Sequence, residues 1–272
     1  MQNTKFIAEI GSNHNQDLAR AFHLIDKAKD IGCWAVKFQY YKADKLWHSS
    51  RKDEIEVAKK GEVPDFWLHQ IKEKCAEIGL KYGCSIYEQD GFDVLAQPKN
   101  RPDFIKISSF DILNYDFIKD SLLEFDTLFL STGHAILDDL YEINKKIKQF
   151  HSDEIILFHC VSNYPTKPED AKLHLIDDYR FINFSHLKAE GYSDHTTHPM
   201  VIYTAVLGSQ VEYVEFHLDL EDEKGNESKF RHCWKPDAIK EVIDNIKIAK
   251  KAYRNIHPYV KNPESQLRGD WE

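Results

Sequence analysis

Gly191-Tyr-Ser-Asp-His-Thr196 and Val214-Glu-Phe-His217 are two short stretches that each resemble the end of a buried strand and each supply one histidine. His195 and His217 have the spacing of neighbouring strand ends in a repeated strand–helix unit, not the spacing of one helix face. Two imidazoles brought together in this way could hold a divalent metal with open coordination positions, as catalysis requires. The simpler alternative is that both histidines only make hydrogen bonds to loops.

The rest of the chain repeats the strand–helix alternation eight times. The predicted strands are residues 6–11, 34–39, 81–86, 104–109, 127–133, 155–161, 191–193 and 211–217, and the seventh is weak. One predicted helix begins near residue 17, and another begins at Pro64 after a long polar loop over residues 40–63. Three more are predicted over about residues 137–150, 199–207 and 236–253.

Eight units in about 250 residues are the count and size of a (β/α)8 TIM barrel, which is the predicted α/β fold. We expect one catalytic domain over residues 1–257 and a polar C-terminal tail over residues 258–272. The main alternative is a doubly wound open sheet, but no G-x-G-x-x-G motif follows the first strand.

Composition narrows the class of partner. The 272 residues carry a net charge of −9, which argues against nucleic acid or an anionic membrane surface as the main partner. The N-terminus has no apolar signal-peptide region, and no apolar run approaches the length of a membrane span. The five cysteines are odd in number and contain no C-x-x-C pair, so we expect neither a disulfide framework nor a thiolate zinc site. These features favour a reduced, cytoplasmic protein.

Polar residues occur where a barrel places its chemistry, at the C-terminal ends of the strands. They are Glu9, Lys37, Gln39, Ser85, Lys106, Ser108, Ser109, Ser131, His159, Ser162, Asn163, Ser193, His195, Glu215 and His217. Individually, each has a structural interpretation, such as a serine that bonds to a loop or an ion pair between Glu9 and Lys37. Two lysines in otherwise apolar strands nevertheless require anions nearby, because burying an unpaired ammonium group is costly.

Two lysines with several hydroxyls and an amide suit a phosphate and a carboxylate. Glu9 could act on a sugar hydroxyl or a water, and a metal on the two histidines could polarise a carbonyl. The residues alone therefore predict a metal-dependent barrel enzyme that acts on a phosphorylated or carboxylated small molecule.

Seven motifs, in this order, resemble those of the sialic acid synthase (NeuB-like) family, and the resemblance covers roughly residues 5–255. They are Ala8-Glu-Ile-Gly-Ser-Asn-His-Asn15, Val36-Lys-Phe-Gln39, Lys106-Ile-Ser-Ser109, Leu130-Ser-Thr-Gly133, His159-Cys-Val-Ser-Asn-Tyr-Pro-Thr166, Gly191-Tyr-Ser-Asp-His-Thr196 and Glu215-Phe-His217.

The resemblance implies a condensation of phosphoenolpyruvate with an open-chain sugar aldehyde, such as N-acetylmannosamine or a related sugar, to give a 2-keto-3-deoxy sugar acid and phosphate. It implies that His195 and His217 hold a divalent metal, usually Mn2+ and otherwise Mg2+ or Co2+. The remaining roles that it implies are phosphate binding by Lys106, Ser109, Ser162, Asn163 and Ser193, carboxylate binding by Lys37, Ser85 and Ser131, and sugar contacts by Glu9 and Gln39.

The chain departs from the family pattern at three places near the acceptor sugar. Phe216 replaces a family lysine or arginine, and Gly225-Asn-Glu227 replaces a family G-P-D, so Glu227 is the candidate for the family aspartate that contacts the sugar. Family members usually continue into an antifreeze-like domain, whose arginine reaches the partner subunit's site in a dimer. The chain ends at Glu272, so we expect another acceptor, or a cover formed by residues 40–63 or by the tail with Arg268.

Three functions remain in competition. The leading one is a phosphoenolpyruvate-dependent sugar acid synthase, possible as a homodimer without the usual domain exchange. The second is a metal-dependent aldolase or lyase that acts on a 2-keto acid. The third is a barrel without a lid that binds a ligand or partner and does not catalyse, against which the retention of Glu9, Lys37, Lys106, His195 and His217 argues.

Overall fold

The computed structural model describes residues 3–46, 48–147, 155–182 and 184–254. Eight parallel strands follow one another in chain order, and hydrogen bonds between the first and the eighth close the sheet into a barrel. The strands are β1 (Lys5–Glu9), β2 (Ala35–Tyr40), β3 (Lys81–Ile86), β4 (Phe104–Ile107), β5 (Leu128–Ser131), β6 (Ile155–His159), β7 (Leu187–Asp194) and β8 (Tyr213–Leu218). The predicted (β/α)8 barrel is confirmed.

Helices connect the strands on the outside of the barrel. They are α1 (Leu18–Asp30), α2 (Ala43–Leu46), α3 (Lys52–Lys59), α4 (Asp65–Ile78), α5 (Asp90–Leu95), α6 (Tyr115–Glu124), α7 (Leu137–Ile147), α8 (His174–Ile182), α9 (Pro199–Tyr203) and α10 (Pro236–Arg254). A π-helical turn, Thr204–Gly208, continues α9, and a two-residue strand, β9 (Cys233–Trp234), pairs with the end of β8. The predicted tail, residues 258–272, lies outside the described residues.

The predicted polar loop over residues 40–63 is wrong in part, because it contains α2 and α3. Helix α3 buries none of its residues, so it has no apolar stripe from which periodicity could be recognised. Ion pairs one turn apart support it instead, between Arg51 and Glu54 and between Lys59 and Glu56.

Strand β7 is longer than the predicted residues 191–193. The prediction was too short because the strand contains a β-bulge, which interrupts the alternation of its side chains. Leu157 of β6 pairs with Ala189, whereas the next residue, Phe158, pairs with Gly191, so Glu190 is an extra residue in the ladder. The extra residue reverses the alternation. Ala189 packs outward in the helix-facing core, whereas Gly191 faces Phe158 inside the barrel. A pattern search that assumes strict alternation finds only the part after the bulge.

Two hydrophobic clusters fill the fold. The larger one lies between the strands and the helices, and the smaller one fills the barrel interior with Ile7, Ala35, Phe104, Phe129 and Phe158. The three phenylalanine rings pack one against the next, with centroid distances of 4.7 Å between Phe104 and Phe129 and 4.9 Å between Phe129 and Phe158. They form a solid floor, so the inward positions two residues further along each strand lie above packed aromatic rings.

We expect Gly83→Ala to destabilise the fold by about 1–3 kcal/mol, because a methyl group there overpacks the floor. A Cβ at Gly83 would lie 2.1 Å from Cζ of the Phe104 ring, which stacked neighbours hold in place. Urea denaturation monitored by circular dichroism measures the loss. The matched control is Gly208→Ala, whose nearest neighbour, Cγ2 of Thr204, would be 3.6 Å away. Equal stability of the two variants would contradict this packing.

Candidate active site

A cavity of about 110 Å3 opens above the aromatic floor, at the C-terminal ends of the strands. Ten of the thirteen predicted site residues line it: Glu9, Lys37, Gln39, Ser85, Lys106, Ser109, Ser131, Ser193, His195 and His217. The structure adds Tyr87, Ser108, Phe110, Cys160, Tyr164 and Glu215 to the lining.

The barrel register explains why residues so far apart in sequence meet. Glu9 is paired with Lys37 on one side and with His217 on the other. Lys106 is paired with Ser85, and Glu215 with Ser193. Inward residues at the same height on neighbouring strands therefore form a continuous polar belt.

A buried charge network occupies this belt. Lys37 donates to a carboxylate oxygen of Glu9 and, over 2.5 Å, to Oγ of Ser85. Lys106 donates to Oε1 of Glu215 over 2.7 Å and to Oγ of Ser193 over 2.8 Å. The second Glu215 oxygen lies 3.8 Å from Nζ of Lys37, so one carboxylate stands between both ammonium groups. The predicted Glu9–Lys37 pair is present, and the two lysines are balanced by two glutamates.

The charges shift the pKa values of the network. Burial opposes ionisation of Glu215, but the ammonium groups of Lys106 and Lys37 outweigh it and lower the pKa of the carboxyl to about 2. Burial lowers the pKa of Lys37 to about 8, although the Glu215 carboxylate acts in the opposite direction. Glu215 is therefore a carboxylate at neutral pH, and it favours the charged form of Lys37.

Hydroxyl groups lie at the mouth of the cavity on the β4 and β6 sides. The Oγ atoms of Ser109 and Ser162 are 2.9 Å apart, so two loops present their hydroxyls together. Asn163, predicted with Ser162, is exposed and does not line the cavity; its carbonyl oxygen accepts a hydrogen bond from Thr166. His159 is buried outside the barrel, where its Nε2 lies 2.8 Å from the carbonyl oxygen of Ala171.

The two predicted metal ligands lie together on the β7 and β8 side, with ring centroids 5.5 Å apart. Nδ1 of His195 lies 2.8 Å from the carbonyl oxygen of Val161, and Nδ1 of His217 lies 2.6 Å from Oε2 of Glu227. Each Nδ1 can donate to these acceptors, which leaves each Nε2 available as a ligand atom. Burial, together with the neighbouring His217, lowers the pKa of His195 to about 3, which keeps its imidazole neutral.

Glu227, predicted to contact the sugar, lies behind His217 and is not among the lining residues. Its Oε1 accepts from the backbone N–H of Ser12, and its own N–H donates to Asn13. The close approach requires Gly11, which has a φ of +50° and whose Cβ would lie 2.0 Å from Oε1 of Glu227.

Asp194 fixes the turn that carries His195 and also holds the loop of Glu227. It is fully buried, and its Oδ1 accepts from the hydroxyl of Thr196 over 2.6 Å. Its Oδ2 accepts from the N–H of Thr197, which has a φ of +52°, and from the indole of Trp234 in β9. One carboxylate therefore stabilises a left-handed backbone position and joins the ends of β7 and β9.

Aromatic and imidazole groups from loops complete the histidine side, and the sequence had assigned none of them a role. The Tyr164 ring lies 4.2 Å from that of His195, and the His232 ring lies 4.5 Å from that of His217. Neither residue belongs to the alternating strand pattern, so only the folded loops show that they reach the site. Glu215 was recognised among the polar strand-end residues, since it points the same way as His217 two residues later, but no role was assigned to it.

Comparison with known proteins finds similar sequences and the same fold elsewhere. A sequence profile of the NeuB family matches residues 24–257. The chain is 31% identical to the N-acetylneuraminate-9-phosphate synthase of Drosophila melanogaster, over 89% of this chain and 68% of that one. It is 30% identical to an uncharacterized protein of Methanocaldococcus jannaschii, over 91% of this chain and 71% of that protein. A crystal structure of the sialic acid synthetase from Leptospira borgpetersenii, determined with citrate, shares the fold with a TM-score of 0.84 at 24% identity, over 98% of this chain and 90% of that one.

No helix within the described parts of the chain has both the length and the apolar character needed to cross a bilayer.

We expect Lys37→Met to destabilise the protein by about 3–5 kcal/mol, because it leaves the buried carboxylate of Glu9 without its cation. The double variant Lys37→Met/Glu9→Gln should recover a large part of that loss. Urea denaturation of both single variants and the double variant gives the coupling free energy. The control is Asp244→Asn, which breaks exposed pairs with Lys240 and Lys247 that are worth only about 0.3–0.5 kcal/mol each. Additive losses at positions 9 and 37 would contradict the ion pair.

Proposed function

The chain belongs to the NeuB family, and from that premise we propose that it is a sugar acid synthase that condenses phosphoenolpyruvate with an open-chain aldose. The products are a 2-keto-3-deoxy sugar acid of the nonulosonic type and inorganic phosphate. One observation carries the proposal. A single cavity has two buried ammonium groups with hydroxyls on one side and two histidines with available Nε2 atoms on the other.

The ammonium side suits phosphoenolpyruvate because that molecule carries two anionic groups. Lys106 and Ser193, joined by a hydrogen bond, are assigned to the phosphate together with the neighbouring hydroxyls of Ser109 and Ser162. Lys37 and Ser85, joined by a hydrogen bond, are assigned to the carboxylate with Ser131. Charge-assisted hydrogen bonds of this kind are among the strongest that a protein offers.

The histidine side fits a divalent metal, which family membership implies. His195 and His217 are held through Nδ1 by an oxygen acceptor, the arrangement typical of metal-binding imidazoles. A bound Mn2+, Mg2+ or Co2+ would make the sugar aldehyde a better electrophile. We assign that face of the cavity to the acceptor sugar, together with Glu9 and Gln39, which also line the cavity.

The protein's own groups then have defined tasks in the reaction. Lys106 and Lys37 orient phosphoenolpyruvate so that its methylene carbon faces the aldehyde carbon, and a carbon–carbon bond forms between them. Water adds to the oxocarbenium-like carbon that results. Phosphate leaves by cleavage of the carbon–oxygen bond, and Lys106 compensates its charge. Glu9, already bonded to Lys37, is the carboxylate placed to orient a sugar hydroxyl or accept a proton.

The proposal is tested by phosphate release from phosphoenolpyruvate with Mn2+ across a panel of aldoses and N-acetyl hexosamines. We expect release that requires both a sugar and a metal and that stops with a chelator. Phosphoenolpyruvate labelled with 18O in its bridging position should yield labelled phosphate, because the carbon–oxygen bond is cleaved. Metal-dependent cleavage of a 2-keto acid without phosphate release would instead indicate an aldolase. Binding of phosphoenolpyruvate without turnover of any sugar would contradict the synthase.

We expect Lys106→Met to reduce kcat/KM for phosphoenolpyruvate by about 10- to 100-fold, since a hydrogen bond to a charged group contributes about 1.5–3 kcal/mol. Steady-state kinetics with the best acceptor measures the effect. Lys235→Met, a change at an exposed lysine paired with Glu223, is the control and should behave as wild type. An unchanged kcat/KM in Lys106→Met would remove Lys106 from the phosphate site.

A further inference from the structure

A third histidine stands beside the pair assigned to the metal. Side chains of His217, Glu227 and His232 form a group whose nitrogen and oxygen donor atoms all lie within 4.8 Å of one another. Oε2 of Glu227 lies between the two rings, 2.6 Å from Nδ1 of His217 and 3.6 Å from Nε2 of His232. Metal–donor bonds of about 2.0–2.2 Å place neighbouring donors up to roughly 4.4 Å apart, so small side-chain shifts would admit one ion.

His232 is buried among the rings of Tyr164, His217 and Phe230, and its nitrogen atoms are poorly satisfied. Its side chain is 4% exposed, and its Nδ1 is buried without a hydrogen-bond partner among the described residues. Its Nε2 is too far from Glu227 for a normal hydrogen bond. An imidazole buried with little hydrogen bonding is costly unless another interaction compensates it.

The loop that carries Glu227 and His232 is held from several sides. The N–H of Gly225 donates to Asp219 over 2.8 Å, the N–H of Glu227 donates to Asn13 over 2.8 Å, and the indole of Trp234 donates to Asp194 over 2.8 Å. Donor atoms on a backbone fixed in this way are preorganised, as a metal site requires.

We propose that His217, Glu227 and His232 form a divalent transition-metal site that is an alternative to the His195–His217 pair. In it, Nδ1 of His217 is the ligand atom and gives up its hydrogen bond to Glu227, whereas the pair uses Nε2. Two imidazoles and one carboxylate favour Mn2+, Fe2+, Co2+ or Zn2+ over Mg2+, which prefers oxygen ligands. The site rests on the proposed function and deepens it, because it would hold an ion behind His217, the same imidazole whose other side faces the cavity. It also explains why Glu227 points at His217 rather than into the cavity.

The test is the affinity for Co2+ of the full chain, first stripped of metal, by calorimetry and visible absorption without phosphoenolpyruvate or sugar. His232→Phe keeps the ring volume between Tyr164 and Phe230 and removes both nitrogens. We expect it to weaken Co2+ binding at least about tenfold and to change the visible spectrum. The control, His186→Phe, removes an imidazole from the opposite end of the barrel and should leave both unchanged. Excess Mg2+ should not compete with Co2+.

A second variant keeps the test decisive if His232→Phe fails to fold. His232→Cys places a thiolate at the same position, and its Co2+ adduct should show a sulfur-to-cobalt charge-transfer band that wild type lacks. Wild-type affinity in a folded His232→Phe variant, or a folded His232→Cys variant without the band, would overturn the proposal. No Co2+ binding by wild type would overturn it as well, and the phosphate-release assay would still decide the synthase separately.

Discussion

Two ammonium groups buried inside the barrel are the constraint on which the rest of the site depends. Lys37 and Lys106 lie in a region that water hardly reaches, so their charges must be balanced by the protein itself. Glu215 provides that balance for both, and Glu9 for Lys37. A substrate with two anionic groups can accept hydrogen bonds from the same two ammonium groups without any change in the fold. A protein of negative net charge can therefore bind an anion at its centre.

The layers of the barrel follow from this constraint. The stacked rings of Phe104, Phe129 and Phe158 exclude water from below, which strengthens the electrostatic interactions above them. The charged belt lies on this floor, and the histidines with their aromatic neighbours lie on one side of the belt. Stability is supplied mainly below the belt and chemistry above it, as is typical of the fold.

Strand periodicity accounts for how much of the site could be predicted. Glu9, Lys37, Lys106 and His217 occupy alternate inward positions in short apolar runs, so their sequence positions already imply one cavity. The loops gave no such signal. Tyr164 and His232 reach the histidines only through the path of their loops, and Glu227 points behind His217 because hydrogen bonds to the 11–13 turn hold it there. Helix α3 was missed for a related reason, since a solvent-exposed helix without an apolar face has no periodic pattern.

The bulge in β7 has a consequence for the way this strand tolerates change. Because Glu190 is one residue more than the ladder with β6 needs, the part before it faces the helices and the part after it faces the cavity with the same odd-numbered positions. Loss of Glu190 would keep the strand but restore strict alternation along it. Ala189 and Gly191 would then be consecutive residues on opposite faces, so Leu187 and Ala189 would still pack against the helices while Ser193 and His195 would still face the cavity. Strict alternation at unchanged chain length would instead turn Ser193 and His195 outward, so the bulge is what lets a strand of this length face the helices at one end and the cavity at the other.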